Sequence, residues 1–132
     1  MREFVNLQTA ILLRRLAFQV NRSSKASDAD SIHDLRVGIR RFSRCLRAFS
    51  QFYPGRSWKK IRRELRELME AAGKVRDRDI ALALLAEAGI PPRAAIATRL
   101  AVERRKAGRD LLAEISRWND RGSRKWRSQL EL

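Results

Sequence analysis

A histidine and four arginines recur at helical spacing between positions 32 and 49 of the chain. They are His33, Arg36, Arg40, Arg44 and Arg47, and a step of about 100° per residue places them in one band along a helix. Like charges one turn apart repel each other by roughly 0.2–0.5 kcal/mol per pair, and a bound anion would offset this repulsion. Arginine carries a planar fork of donors that fits two phosphate oxygens at once. The pattern therefore predicts a phosphate-binding helix face.

An apolar stripe runs beside this basic band on the same predicted helix. Its members repeat at steps of three and four residues: Ile32, Leu35, Ile39, Phe42, Leu46 and Phe49. Such a stripe is typical of a buried helix face, and the basic band lies roughly a quarter turn away from it. Because the arginines lie so close to the buried edge, we expect them to border a groove. The alternative is a solvated helix face that only keeps the protein soluble.

Two motifs of the chain resemble those of the CHAD domain family, helical modules named for a histidine and associated with inorganic polyphosphate. The first is a helix that begins with a histidine, then has an Arg-Val pair and an Arg-Arg pair, and the chain matches it at His33, Arg36, Val37, Arg40 and Arg41. The second reads Leu-Gly-x-x-Arg-Asp-x-Asp-Val in the family, and the chain matches it at Gly73, Arg76, Asp77, Asp79 and Ile80. The resemblance implies an all-α fold, a polyphosphate ligand and an association with polyphosphate granules.

The chain departs from the family pattern at three residues and in its length. Ser43 stands where family members usually carry an arginine, Ala72 replaces a leucine and Arg78 replaces an apolar residue. A typical family member resembles two related helical halves in one chain, and the 132 residues here correspond to about one half. We therefore expect a homodimer, because a second copy of the chain could supply the missing half.

The overall charge favours polyanionic partners independently of this resemblance. The chain has 30 Lys and Arg residues against 15 Asp and Glu residues, which gives a formal net charge of +15. Such a charge attracts DNA, RNA, anionic lipid and polyphosphate alike. With 44% hydrophobic residues the chain can bury a core, and its length suits a single domain over residues 1–132.

The single cysteine and the N-terminal segment favour a cytoplasmic location. Cys45 cannot form an internal disulfide, which suits a reducing compartment. The segment that begins at Met1 lacks the apolar core and cleavage site of an export signal, and no stretch approaches the ~18 apolar residues of a membrane span. We therefore expect no membrane association.

The apolar spacing predicts an antiparallel bundle of four to five helices with no strands. The first expected helix is Glu3–Val20, and the second runs from Asp30 or Ser31 as its N-cap to a point before Tyr53. A third begins after Ser57 and continues towards Ala88, and two more span Arg93–Trp118 and Ser123–Leu130, with a turn at 119–122. The expected core stripe of the first helix is Phe4, Leu7, Ile11 and Phe18. In the third helix it is Trp58, Ile61, Leu65, Leu68 and Ala72, and in the fourth Ile96, Leu100, Leu111, Leu112 and Ile115.

Ten basic residues and two acids form the predicted binding site. The residues expected to bind polyphosphate or another phosphate-rich polyanion are His33, Arg36, Arg40, Arg41, Arg44, Arg47, Lys59, Arg63, Arg66 and Arg76. Asp77 and Asp79 are expected to form salt bridges that orient Arg76 or the groove arginines. Because these two acids point about 200° apart on one helix, they cannot share a metal ion. We expect neither a metal nor a cofactor.

The residue pattern favours binding over catalysis. The chain offers no Ser-His-Asp or Cys-His arrangement, no glycine-rich phosphate loop that begins a helix and no acidic cluster for magnesium, so no enzymatic activity is expected. A nonspecific DNA or RNA binder is the first alternative, although such proteins usually place aromatic or base-reading side chains among their cations. The second alternative is a homo-oligomer whose basic faces bind proteins with acidic tails.

Overall fold

Four α-helices follow one another along the chain in the computed structural model. They are α1 (Arg2–Lys25), α2 (Ala29–Ala48), α3 (Ser57–Glu87) and α4 (Ala95–Gln129), with a 3-10 turn at Ser50–Phe52 before α3. The structure describes the backbone of residues 1–132 and the side chains of residues 1–118 and 122–132. No strand occurs in this described part of the chain, so the predicted all-α class is confirmed. None of the described helices is both long and apolar enough for a membrane crossing.

The four helices form a ring in which each packs against its neighbours along the chain. Helix α2 lies between α1 and α3, α3 packs against α4, and α4 returns to α1. Short connections between packed helices produce antiparallel neighbours. Phe42 of α2 stacks on Trp126 of α4 with ring centroids 5.9 Å apart, and Trp118 lies 5.1 Å from Trp126. These aromatic contacts join α2 to α4 across the core of the ring.

Helix α2 follows the sequence prediction closely. Its apolar stripe is buried at Ile32, Leu35, Ile39, Phe42 and Leu46, and Phe49, just past the helix end, packs half-buried against the core. The helix begins slightly earlier than predicted, because Asp28 is its N-cap and accepts a hydrogen bond of 2.8 Å from the Ser31 backbone N–H. Asp30 and Ser31 therefore lie inside the first turn.

Helix α1 buries a different face from the predicted one. The predicted core residues Phe4, Leu7 and Phe18 are exposed and Ile11 is half-buried. The buried stripe is instead Val5, Thr9, Leu13, Leu16 and Val20. The predicted stripe passes through Arg14, whose guanidinium would lose its hydration if it were buried. Ser23, the next residue of this stripe, is also buried and donates to the Ser31 carbonyl at 3.3 Å. Between Val5 and Val20 the stripe contains only one polar residue, and that residue finds hydrogen-bond partners.

That polar residue is Thr9, which belongs to a buried hydroxyl and thiol cluster. The Thr9 hydroxyl donates to the Val5 carbonyl at 2.7 Å and lies 2.7 Å from the Tyr53 hydroxyl. The Cys45 thiol lies 3.6 Å from the Thr9 oxygen and 3.7 Å from the Tyr53 oxygen. Burial raises the pKa of Tyr53, so its hydroxyl stays protonated. The cluster fixes α1 against α2 and the segment that follows it.

Helix α4 is one continuous helix where the sequence predicts two. The predicted turn at 119–122 falls mostly on residues whose side chains lie outside the described part of the chain, and Gly122 follows them. A Cβ atom at Gly122 would lie 2.5 Å from the Trp118 ring, so this glycine makes room for the indole one turn away. Gly122 is therefore explained by packing against Trp118. The prediction had interpreted this glycine as part of a turn. Leu111 and Ile115 are buried as predicted, whereas Ile96 and Leu112 are exposed.

The distal ends of α3 and α4 extend past the level at which α1 and α2 are connected. The Arg104 side chain of α4 donates to the Ser27 carbonyl in that connection and to Asp79 of α3 at 3.0 Å. Residues 80–103, which we call the hairpin arm, lie beyond this junction. Within the arm, all of which the structure describes, Ala97 alone is fully buried. The arm therefore exposes apolar residues that the main bundle does not cover.

Acidification is expected to remove the stabilising contribution of the Asp28 cap. Hydrogen bonds from the side chain and the backbone N–H of Ser31 lower the pKa of Asp28 below its ordinary value of 3.8. The cap therefore stabilises the fold fully above the unfolded pKa and is lost as the pH falls through the lower folded pKa. Asparagine caps helices without titrating, so Tm should fall less between neutral and acidic pH in Asp28→Asn than in the unsubstituted protein. Equal falls in thermal unfolding would contradict this account.

Candidate functional site

A cleft between α2 and α3 gathers five arginines around an apolar floor. It has a volume of about 340 Å³. Its lining, which we call the arginine groove, consists of Ile39, Arg40, Ser43, Arg44, Arg47, Arg62, Leu65, Arg66 and Met69. Four of these residues belong to the predicted binding set: Arg40, Arg44, Arg47 and Arg66. Among the described residues that line the groove there is no carboxylate, so its field is uniformly positive.

Arg62 is a groove residue that the predicted binding set does not include. Its Nε atom donates a hydrogen bond of 3.2 Å to the Ser43 hydroxyl on α2. The bond brings a cation from α3 to Ser43, the position at which the resemblance described above implies an arginine. Arg62 stands one turn before Arg66 on α3, so the two side chains share a helix face. This spacing could have assigned Arg62 to the groove from the sequence. Which edge of α3 faces α2 became clear only from the packing of the two helices.

The cationic band of α2 continues past the groove towards the N terminus of the helix. Counted from the contact between Arg62 and Ser43, antiparallel pairing brings Met69 level with Arg36 and Ala72 level with His33. Arg36 is half-buried, and its Nε atom is buried without an acceptor among the described residues. A buried donor of this kind is costly unless something accepts from it. Arg36 lies about 16 Å along α2 from Arg47.

The remaining predicted cations lie at different positions around the bundle. His33 is exposed on the first turns of α2, and Arg76 is half-buried on α3. Lys59 and Arg63 are exposed on α3 and do not line the groove. Around the helix, Arg63 lies about 100° and Lys59 about 60° from Arg62. The Lys59 ammonium lies 5.6 Å from the ring centroid of Trp58. Arg41 lies on the opposite side of α2, where it lines cavities formed with α1.

The two predicted orienting acids have unequal environments. Asp77 is exposed on α3. Asp79 is mostly buried and pairs with Arg104 of α4, with 3.0 Å between the Asp79 Oδ1 and the Arg104 Nε atoms. Arg104 is a residue that the sequence analysis did not assign to the site. The ion pair holds Arg104 against the Ser27 carbonyl, and it thereby fixes the position of the α1–α2 connection next to the start of α2.

The chain matches the family model of the CHAD domain over residues 9–127. This match spans most of the chain and includes both motifs and every residue of the arginine groove. The chain belongs to the CHAD domain family. No curated protein and no solved structure gives a significant match. In this CHAD domain the first motif forms α2, and the second motif, Ala72–Ile80, lies in the second half of α3 and places Asp79 beside Arg104.

Replacement of Asp79 is expected to loosen the junction among α3, α4 and the α1–α2 connection. In Asp79→Asn the mostly buried Arg104 loses its charged partner, which should lower the free energy of unfolding by about 1–2 kcal/mol. The measurement is urea unfolding followed by circular dichroism. Asp77→Asn is the matched control, because it removes the same charge from an exposed residue two positions away and should change stability little. Equal effects of the two substitutions would show that the ion pair contributes nothing.

Proposed function

We propose that this CHAD domain binds inorganic polyphosphate in the arginine groove and acts as a non-catalytic accessory or scaffolding module. The observation that carries the proposal is the convergence of five arginines from two helices on one cleft. Family membership supports the choice of ligand, since CHAD domains are associated with polyphosphate. Arg36, which is half-buried on the same band of α2, continues the cationic surface beyond the end of the groove.

The shape of the groove suits a single flexible chain of phosphates. Packed helices lie about 8–10 Å apart, so the cleft between α2 and α3 is much narrower than a nucleic-acid duplex. The lining holds arginines, a serine and aliphatic side chains, and it contains no aromatic ring among the described residues. Stacking on aromatic rings is how proteins commonly hold unpaired bases. These features favour a ligand that is all phosphate over DNA or RNA.

The proposed mechanism is multivalent ion pairing with release of condensed counterions. Each arginine replaces mobile cations around the polyanion, and the affinity should therefore fall steeply as the salt concentration rises. The apolar floor formed by Ile39, Leu65 and Met69 keeps the guanidinium groups at the rim, where their donors can face the same ligand. No group in the groove needs to change its covalent state. Binding, orientation and charge neutralisation are the whole of the proposed activity.

Substitution of two groove arginines is expected to weaken polyphosphate binding at least tenfold. Arg62→Ala with Arg66→Ala removes two charge-assisted contacts, each of which is typically worth about 1.5 kcal/mol or more. Lys59→Ala with Arg63→Ala is the matched control, because it removes the same charge at the same spacing from residues of α3 that do not line the groove. We expect this control to lose less than about threefold, through net charge alone. The readout is fluorescence anisotropy of labelled long-chain polyphosphate at physiological salt.

A competition arm of the same experiment separates polyphosphate from nucleic acid. Duplex DNA is added at equal phosphate concentration to the complex with labelled polyphosphate. Retention of the label supports the groove as a polyphosphate site. Displacement at parity, together with equal losses in the two double variants, would mean that the protein responds to charge density alone, and would favour the nucleic-acid alternative. The control pair also decides whether Lys59 and Arg63 belong to the binding set.

We further infer that two copies of the chain pair through the hairpin arm. The arm exposes Ile80, Leu84, Ile96 and Val102, and its two arginines are balanced by two glutamates. The rest of the chain therefore carries the entire net charge of +15, and two copies repel each other least where their arms meet. Pairing at this apolar and neutral surface would provide the second half that family members usually contain.

The pairing predicts a solution mass of twice the monomer. Leu84→Glu with Val102→Glu should restore the monomer mass in analytical ultracentrifugation, because two buried carboxylates oppose the apolar contact. Phe4→Glu with Phe18→Glu is the control, since it adds the same charges to exposed residues of α1. A monomeric unsubstituted protein, or a dimer that only the α1 control disrupts, would overturn the pairing at the arm.

A polyphosphate-binding protein of this kind would act in the cytoplasm in association with polyphosphate granules.

A further inference from the structure

A second groove runs along the other side of α2, between α2 and α1. It consists of two cavities of about 410 and 450 Å³ that share Leu12 and Arg41. One cavity reaches Phe4 near the start of α1, and the other reaches Phe18 near its end. These two phenylalanines are about 21 Å apart along the helix axis. We call these two adjoining cavities the α1–α2 groove, and Arg44 is the one lining residue that they share with the arginine groove.

The rim of the α1–α2 groove is apolar and exposed. Phe18 is 64% exposed and Phe4 is 54% exposed. They belong to the stripe that the sequence analysis assigned to the core, with Leu7 and Ile11 at steps of three and four residues. Large aromatic side chains gain free energy when they leave water, and contiguous exposed apolar patches mark interaction sites. The spacing of this stripe suits contact with another helix.

The floor of the groove lets a helix approach closely. Gly38 of α2 lines the cavity near Phe18, and Ala48 lines the cavity near Phe4. A Cβ atom at Gly38 would make ordinary van der Waals contacts of 3.7–3.9 Å with Leu16 and Gln19 of α1, so the glycine keeps side-chain bulk out of the groove at this point. The Gln19 Oε1 atom, in the same cavity, is buried and has no donor among the described residues.

The charges along the groove identify the chemistry of its occupant. Four arginines line the two cavities: Arg14, Arg15, Arg41 and Arg44. The one acid in their lining is Asp34, which is paired with Arg22 at 2.5 Å. A second copy of this chain would bring the same arginines and a net charge of +15 to the contact. The groove therefore disfavours a second copy and favours an acidic partner.

We propose that the α1–α2 groove binds an amphipathic helix of a partner protein whose apolar stripe is flanked by Glu and Asp residues. Its apolar side chains pack between Phe4 and Phe18 over Gly38, in the helix-in-groove mode with anchors at i, i+3 or i+4, and i+7. Its carboxylates pair with Arg41 of α2 and with Arg14 or Arg15 of α1. This assignment gives a role to Arg41, which belongs to the predicted anion-binding set but lies outside the arginine groove.

Three synthetic 18-residue peptides test the proposal by fluorescence anisotropy. The first has leucines at helical spacing flanked by glutamates, the second has lysines in place of the glutamates, and the third has the composition of the first in a permuted order without an apolar stripe. We expect the first peptide to bind at least tenfold more tightly than either of the others. The permuted peptide is decisive, because it presents the same charge to a basic protein. Equal binding of the first and third peptides, or no binding of the first, would overturn the proposal.

Two variants locate the peptide on the protein. Gly38→Leu fills the cavity near Phe18 and should weaken the first peptide at least tenfold. Phe18→Ser changes an exposed side chain and leaves the core intact. It should also weaken binding of the first peptide. Leu112→Ser, at an exposed residue of α4 that lines neither groove, is the control and should not change peptide binding. An unchanged affinity in both groove variants would overturn the assignment, and so would a protein whose dimer mass is lost in Phe18→Ser, because a second copy would then occupy the groove.

Substitutions can abolish binding at the α1–α2 groove and at the arginine groove independently of each other. Phe18→Ser and Gly38→Leu leave every residue of the arginine groove in place, so polyphosphate affinity in these variants should equal that of the unsubstituted protein. Conversely, Arg62→Ala with Arg66→Ala should leave the affinity for the first peptide within about twofold. A parallel loss of both ligands in either variant would mean that the two sites are one charged surface, which would contradict the helix-in-groove assignment.

Discussion

Burial of the α2 apolar stripe forces the arginines of this protein together. The stripe loses water at Ile32, Leu35, Ile39, Phe42 and Leu46, and each such side chain contributes roughly 1.5–3 kcal/mol when buried. Repulsion between neighbouring arginines on a helix costs only about 0.2–0.5 kcal/mol per pair. The hydrophobic term therefore dominates and fixes the helix rotation. Once that rotation is fixed, Arg40, Arg44 and Arg47 must line the cleft with α3.

Several carboxylates of the bundle are held away from that cleft. Asp34 pairs with Arg22 at 2.5 Å, and Asp79 pairs with Arg104 at 3.0 Å. Glu64 accepts a hydrogen bond of 2.8 Å from the Trp126 indole. Each of these acids is held by an ion pair or a hydrogen bond at a position that does not line the arginine groove. The field in the groove thus follows from where the acids are paired as much as from how many arginines the chain contains.

The sequence predicted α2 and its burial because that helix carries one apolar stripe and a cationic band beside it. The predicted core face of α1 was wrong. Apolar residues occur on two faces of that helix, and periodicity alone does not say which face meets the core. Arg14 on one stripe and the hydrogen-bonded Thr9 on the other decide the question, but the partner of Thr9 is Tyr53, far away in the chain. Gly122 was misleading for a similar reason, since its role depends on contact with Trp118.

Site residues were predictable to the extent that they lie on α2. The band from Arg36 to Arg47 follows from the spacing within one helix, and three of its arginines line the groove. Arg62 and the outward position of Arg41 depend on how α3 and α1 pack against α2, which a pattern within one helix does not contain. A motif match could not supply this information either, because the family pattern places an arginine where Ser43 receives the hydrogen bond from Arg62.

Helix α2 is the common wall of two basic grooves, and one residue connects them. Arg44 lines both the arginine groove and the cavity near Phe4. A single guanidinium cannot direct its fork of donors to a phosphate on one side and a carboxylate on the other at the same time. Ligands in the two grooves would therefore compete for this one contact, and the coupling would be reciprocal. Because each groove also has arginines of its own, occupancy of one would weaken the other by about one charge-assisted hydrogen bond and would not exclude it.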